Sequence, residues 1–134
     1  MMQPAAVPIS VLFVDDDAMV LRSMDRCLSR VGFKVTAVDS AEAALSAVVA
    51  SRFDVVITDH NMPTMTGAEL IERLLAYDSA LRGRIILTSG NLCNETTEAL
   101  LTRTGCRGLQ KPFQVAELAL AIKAAAKNAT LMTA

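Results

Sequence analysis

The chain has 134 residues, enough for one domain that buries roughly two-thirds of its unfolded surface. Charged residues make up 20% of it and the net charge is −1, which excludes an electrostatic footprint for nucleic acid or an anionic membrane. Aromatics are only 4%, and the abundance of Ala, Val, Leu and Ile suits aliphatic α/β packing.

The first residues, Met1 to Ser10, carry neither a basic stretch nor an apolar core, so they read as a tail over 1–8 and not as a signal peptide. Ile9 to Val14 is a near-continuous apolar run, the pattern of a strand buried on both faces of a parallel sheet. Val20, Leu21, Met24, Leu28 and Val31 then recur at helical spacing, and Gly32 is a C-terminal stop. Lys34 to Val38 alternates and predicts a strand nearer an edge; Ser40 caps a helix carrying Ala44, Leu45, Val48 and Val49. Val55 to Thr58 is a second buried strand, and Ala68 to Tyr77 is a helix with Leu70, Ile71, Leu74 and Leu75 on one face. Ile85 to Thr88 is a third buried strand, followed by a helix capped by Asn94 that ends at Gly105. Gly108 to Gln110 is a short strand at the opposite edge, and Val115, Leu118, Ile122 and Ala126 mark a last helix. The domain therefore spans 9–127, with 128–134 a frayed tail or the start of a connector. This βα alternation predicts an α/β fold, a parallel sheet of five strands with five helices covering both faces.

Three cysteines, Cys27, Cys93 and Cys106, show no CxxC spacing, which argues against a disulfide framework or a zinc site and for a reducing, cytoplasmic setting. No run of about 18 apolar residues exists to span a bilayer. With no secretory signal, the Asn128-Ala129-Thr130 sequon is a chance match.

Ligands of open α/β sheets sit outside the carboxyl ends of the strands. Asp15 and Asp16 end the first strand, Asp59 the third, Thr88-Ser89 the fourth, and Lys111-Pro112 follows the fifth. An Asp after a strand is by itself most often a turn or helix cap, and Asp17 is given that role. Three carboxylates and one ammonium on one rim are another matter, because like charges raise one another's pKa and resist sharing a site. They suit a hard cation, such as Mg²⁺ with its oxygen ligands, together with an anionic group.

Val11-Leu12-Phe13-Val14-Asp15-Asp16-Asp17, then Val55 to Pro63 with Gly67, then Lys111-Pro112-Phe113 resemble the signature blocks of response-regulator receiver domains. The resemblance covers about Ile9 to Lys127 and implies a doubly wound, flavodoxin-like sheet of order 2-1-3-4-5. It implies that Asp59 accepts a phosphoryl group from a sensor histidine kinase or phosphotransfer protein. Asp16 is then a direct Mg²⁺ ligand, Asp15 a ligand largely through water, Asp59 a further ligand, and the Asn61 carbonyl completes the protein's share. Lys111 and a strand-end hydroxyl stabilise the phosphoryl group. The hydroxyl is Ser89 or Thr88. Ser89 is favoured because the small Gly90 follows it, and because it lies 30 residues after Asp59 and 22 before Lys111. The resemblance also implies a cis Lys111-Pro112 bond, although a Pro opening the last helix is explained without it.

Where many receivers carry a switch aromatic, this chain has Gly108. Readout is therefore expected from movement of the loop Gly90 to Asn94 and of the helix after it, within an output surface at about 94–126. A partner effector or a missing output domain follows from the family, with a homodimer left open. No membrane or nucleic-acid contact is expected. His60, beside Asp59, reads as a rim side chain in preference to a general base, Cys93 as an ordinary loop thiol, and Met62 as loop packing in preference to contact surface. Two other readings compete: a pseudo-receiver serving as a constitutive interaction module, and an aspartate-nucleophile phosphatase of the haloacid dehalogenase type. The latter wants Asp-x-Asp-x-Thr/Val, which Asp15-Asp16-Asp17-Ala18-Met19 does not match.

Overall fold

In the computed structural model, which describes residues 7–133, each apolar run becomes a strand and each helical pattern a helix. The strands are β1 (Ser10–Val14), β2 (Lys34–Val38), β3 (Val55–Asp59), β4 (Ile85–Ser89) and β5 (Arg107–Gln110). Between and after them run α1 (Ala18–Val31), α2 (Ala41–Ala50), α3 (Gly67–Tyr77), α4 (Glu95–Thr104) and α5 (Val115–Thr133), with a single 3₁₀ turn at Ser79–Leu81. The strands pair in parallel in the order β2-β1-β3-β4-β5. This is the doubly wound, flavodoxin-like order that the resemblance implied.

Local chemistry sets the element ends. Asp17 caps α1 by accepting from Met19 N at 2.9 Å, Ser40 caps α2 through Ala43 N, and Asn94 caps α4 through Thr97 N at 2.8 Å. Gly32 and Gly105 close α1 and α4 at positive φ, 110° and 72°. Helix α3 opens on a reciprocal capping box between Thr66 and Glu69, which the apolar pattern alone did not reveal. The 3₁₀ turn was not expected; Asp78 stabilises it by accepting from Ala80 N. Helix α5 continues through Thr133, so the stretch after Asn128 that reads in sequence as a tail or connector carries on as helix. Most of the expected N-terminal tail, 1–6, lies outside the described residues.

Alternation along the strands builds two cores. Val11, Phe13, Val55, Ile57 and Ile86 pack against Leu28 of α1 and Leu118, Ile122 and Ala125 of α5. Leu12, Val14, Val56, Ile85 and Leu87 face the other way, onto α2, α3 and Leu100 of α4. The central strands β1, β3 and β4 are buried almost throughout, whereas β2 and β5 are half-exposed, as edge strands are. The chain steps from β1 outward to β2, then back across β1 to β3. Right-handed crossovers therefore put α1 on one face and α2 on the other, and the direction reverses between β1 and β3. At that reversal the two connecting loops diverge and leave a crevice beyond the strand ends.

Candidate functional site

Asp15 follows β1 and Asp59 is the last residue of β3, so the two flank the crevice directly. With Asp16 they form a group in which one carboxylate oxygen from each residue lies within 4.8 Å of those of the other two. Asp15 and Asp59 are buried and Asp16 is exposed, which gives two inner oxygen donors and one facing solvent. An all-oxygen donor set of this kind is suited to a hard cation such as Mg²⁺, and poorly suited to a softer metal that wants nitrogen or sulfur.

Lys111 supplies the opposite charge. The Lys111-Pro112 peptide is cis, and the ammonium reaches into the acidic group. Its Nζ donates to Asp59 Oδ1 at 2.9 Å and lies 3.8 Å from Asp15 Oδ2. Lys111 N also donates to Ser89 O at 2.7 Å, fastening the loop after β5 to the end of β4. Burial pushes the Asp15 carboxyl above its ordinary pKa. The Asp17 amide, donating to Asp15 Oδ1 at 2.9 Å, opposes the shift, as does Lys111, while Asp59 and Asp16 reinforce it.

Thr88 lies opposite Asp59 in the β3–β4 register, and Ser89 closes β4 opposite Gln110. Thr88 is buried, and its carbonyl accepts from His60 N at 2.9 Å. The Ser89 hydroxyl accepts from Asn91 N at 3.1 Å and donates to Asn91 O at 3.3 Å, so it also braces the loop after β4. Asn61 is exposed in the loop that follows Asp59. Asp17 has the capping role expected of it. The His60 side chain is half-buried, and its Nδ1 is covered without a partner. Met62 and Met65 are both buried against the α2–α3 core, as packing residues.

Two features at the edge of the site gain their physical reason only from the structure. A Cβ on Gly67 would stand 2.5 Å from Asp59 O, so α3 can approach the acceptor strand only with glycine there. Gln110 clasps the loop after β4 from both sides, donating from Nε2 to Gly90 O at 2.6 Å and accepting at Oε1 from Leu92 N at 3.0 Å. The absence of an aromatic at Gly108 does not leave a hole. A Cβ there would meet Leu101 Cδ1 at 2.9 Å and Leu92 Cδ1 at 3.1 Å, and these leucines from α4 and the clasped loop fill the space.

A family model described as the response regulator receiver domain matches residues 11–123. Transcriptional regulatory protein PrrA of Mycobacterium tuberculosis is 39% identical over 115 residues, covering 85% of this chain and 48% of PrrA. Virulence sensor protein BvgS of Bordetella bronchiseptica is 38% identical over 132 residues, covering 95% of this chain and 11% of BvgS. The chain thus spans about half the length of the first relative and a small part of the second. Among solved structures, one described as adenylate cyclase from Rhodopirellula baltica superposes with a TM-score of 0.86 at 30% identity, covering 95% of this chain and 93% of that one. Chemotaxis protein CheY4 of Vibrio cholerae gives 0.80 at 26% identity, covering 87% and 98%.

Proposed function

Since this chain belongs to the response regulator receiver domain family of two-component signalling, we propose that it is a Mg²⁺-dependent phosphoacceptor switch with Asp59 as the acceptor. The observation that carries the reading is the 2.9 Å contact between Lys111 Nζ and Asp59 Oδ1 beside the carboxylates of Asp15 and Asp16. A carboxylate is a poor nucleophile toward an anionic phosphoryl group unless charge is screened. Asp15, Asp16, Asp59 and the Asn61 carbonyl are the groups that would hold Mg²⁺, and the ion when bound supplies that screening. Lys111 neutralises charge from the other side and orients Asp59. An Asp59 oxygen attacks phosphorus, the phosphorus–nitrogen bond of the donor's phosphohistidine breaks, and an acyl phosphate forms on Asp59. The buried Ser89 hydroxyl then turns from Asn91 to donate to a phosphoryl oxygen, loosening the loop it braced. Thr88, tied into the β3–β4 ladder, is left as packing.

The donor is a sensor histidine kinase or phosphotransfer protein, and the readout is the surface of α4, β5 and α5, presented to an effector or an output domain in the cytoplasm. The protein acts as a switch and not as a turnover enzyme. No described helix is long and apolar enough to cross a membrane. Acetyl phosphate with Mg²⁺ is expected to add one phosphoryl group by intact mass, and Asp59→Ala to abolish the adduct. No adduct, or an adduct surviving Asp59→Ala, overturns the reading. Gly108 favours a second reading, a constitutive interaction module, and calorimetry separates the two: a module with no phosphoacceptor role has no need of Mg²⁺.

A further inference from the structure

At the pole of the sheet opposite Asp59, where β3 and β4 begin and α2 and α3 end, lies a cavity of about 320 Å³. This is at the lower end of the about 300–1,000 Å³ common to small-ligand pockets. Its walls include Arg52, Phe53, Tyr77, Asp78, Leu81 and Arg84. Arg84 is only 4% exposed. Its Nε donates to Ala80 O at 2.8 Å, but Nη1 is covered and has no partner. No ion pair forms at Arg84 among the described residues.

A guanidinium keeps its charge at any pH that a protein survives. Burying it without a counter-charge is costly, and the cost falls when an anion is supplied. Asp78, the one carboxylate in the wall, accepts at Oδ1 from Ala80 N at 3.0 Å and forms no ion pair with Arg84. A bridging water would satisfy one N–H and leave the charge uncompensated. The exposed Arg52 adds a second cation at the wall, so positive groups outnumber negative ones there. Phe53 and Leu81 are buried and apolar, and the ring of Tyr77 is half-open to solvent.

From this we propose a second ligand site, remote from the phosphoacceptor, that takes a small oxyanion carried on an apolar body, a carboxylate first of all. The Arg84 guanidinium offers the anion its charge and an N–H not taken by Ala80, Arg52 strengthens the attraction, and Phe53, Leu81 and Tyr77 cover the apolar part. The site would let a small metabolite-like acid bear on the ends of α2 and α3.

The test is a ¹H–¹⁵N NMR titration with benzoate and, separately, inorganic phosphate. Benzoate is expected to give saturable shifts of the Arg84 Nε–H and of the Arg52, Phe53 and Leu81 amides. Binding should weaken about tenfold or more in Arg84→Gln, the loss of a charge-assisted hydrogen bond, and less in Arg52→Gln. Arg84→Lys keeps the charge without the guanidinium N–H groups and is expected to bind more weakly than wild type, which leaves the test intact should Arg84→Gln fail to fold. Saturation by phosphate as well assigns recognition to the oxyanion alone; saturation by benzoate only assigns part of it to the apolar wall. The proposal is overturned if neither probe saturates by on the order of 50 mM, or if the shifts are the same in the Arg84 variants.

Discussion

Burial raises the pKa of Asp15 above its ordinary value of 3.8, and the neighbouring carboxylates of Asp59 and Asp16 add to the shift. A carboxyl raised in this way favours folding most when it is neutral. Its contribution is fully present below 3.8 and is lost as pH rises through the higher folded value. Above that folded value the metal-free protein carries a destabilising charge that a cation would relieve. Asp15→Asn keeps an Oδ1 acceptor for the Asp17 amide and removes the charge. It is expected to raise the melting temperature of the Mg²⁺-free protein by a few degrees, while weakening Mg²⁺ binding. Circular dichroism melts with chelator and then with excess Mg²⁺ check both halves; a variant no more stable than wild type in chelator refutes the account. The composition of this acid group was legible in the chain, because Asp15, Asp16, Asp59 and Lys111 follow apolar runs at strand ends. The burial that perturbs Asp15 was not, since it depends on how far each strand end is covered by its neighbours.

Helix α4 and the loop before it are held by few and specific bonds. Gln110 grips both sides of the loop through Gly90 O and Leu92 N, and Ser89 grips Asn91. Gln110→Ala removes both side-chain bonds at once. It is expected to increase hydrogen exchange at the Leu92 amide by about tenfold, with little effect on central strand amides. Gly108 of β5 is the other contact point of this element. In Gly108→Ala the added methyl meets only the flexible ends of Leu101 and Leu92, so the cost should stay within about 1 kcal/mol. Gly108→Tyr, by contrast, has to displace both leucines, and the methyl signals of Leu92 and Leu101 are expected to shift strongly. Unmoved methyls would mean that the ring swings out to solvent. The departure at Gly108 is visible in the sequence, but its consequence is not: only the packing shows that Leu92 and Leu101 occupy the space.

Across the whole molecule, the two cores share the central strands, so a cavity on one face weakens the sheet that carries the site. Ile57 is fully buried on the α1–α5 face, two residues before Asp59. Ile57→Ala is expected to cost about 2–5 kcal/mol, measured as a lower urea midpoint with an unchanged slope. A changed slope would point instead to a loosened native state. The Asp59–Lys111 contact bridges the ends of β3 and β5, which are separated in the sheet by β4. Under the proposed function, a phosphoryl group on Asp59 would therefore bear on the edge that α4, β5 and α5 form.

The amino-acid order alone determined the strands, the helices and most of their caps. Periodicity and capping are local properties, written within one or two turns of chain in residues such as Asp17, Ser40, Asn94 and Gly105. It also determined the acid and lysine set, because each member follows an apolar run and its charge is intrinsic to the residue. The tertiary structure decided what depends on distance between segments far apart in the chain. It brought Lys111 to 2.9 Å from Asp59, gave Gln110 its two loop contacts, packed Leu92 and Leu101 over Gly108, and left Arg84 buried beside a cavity without an ion pair. Those contacts pair side chains far apart in the chain, and no local pattern encodes which distant residues meet.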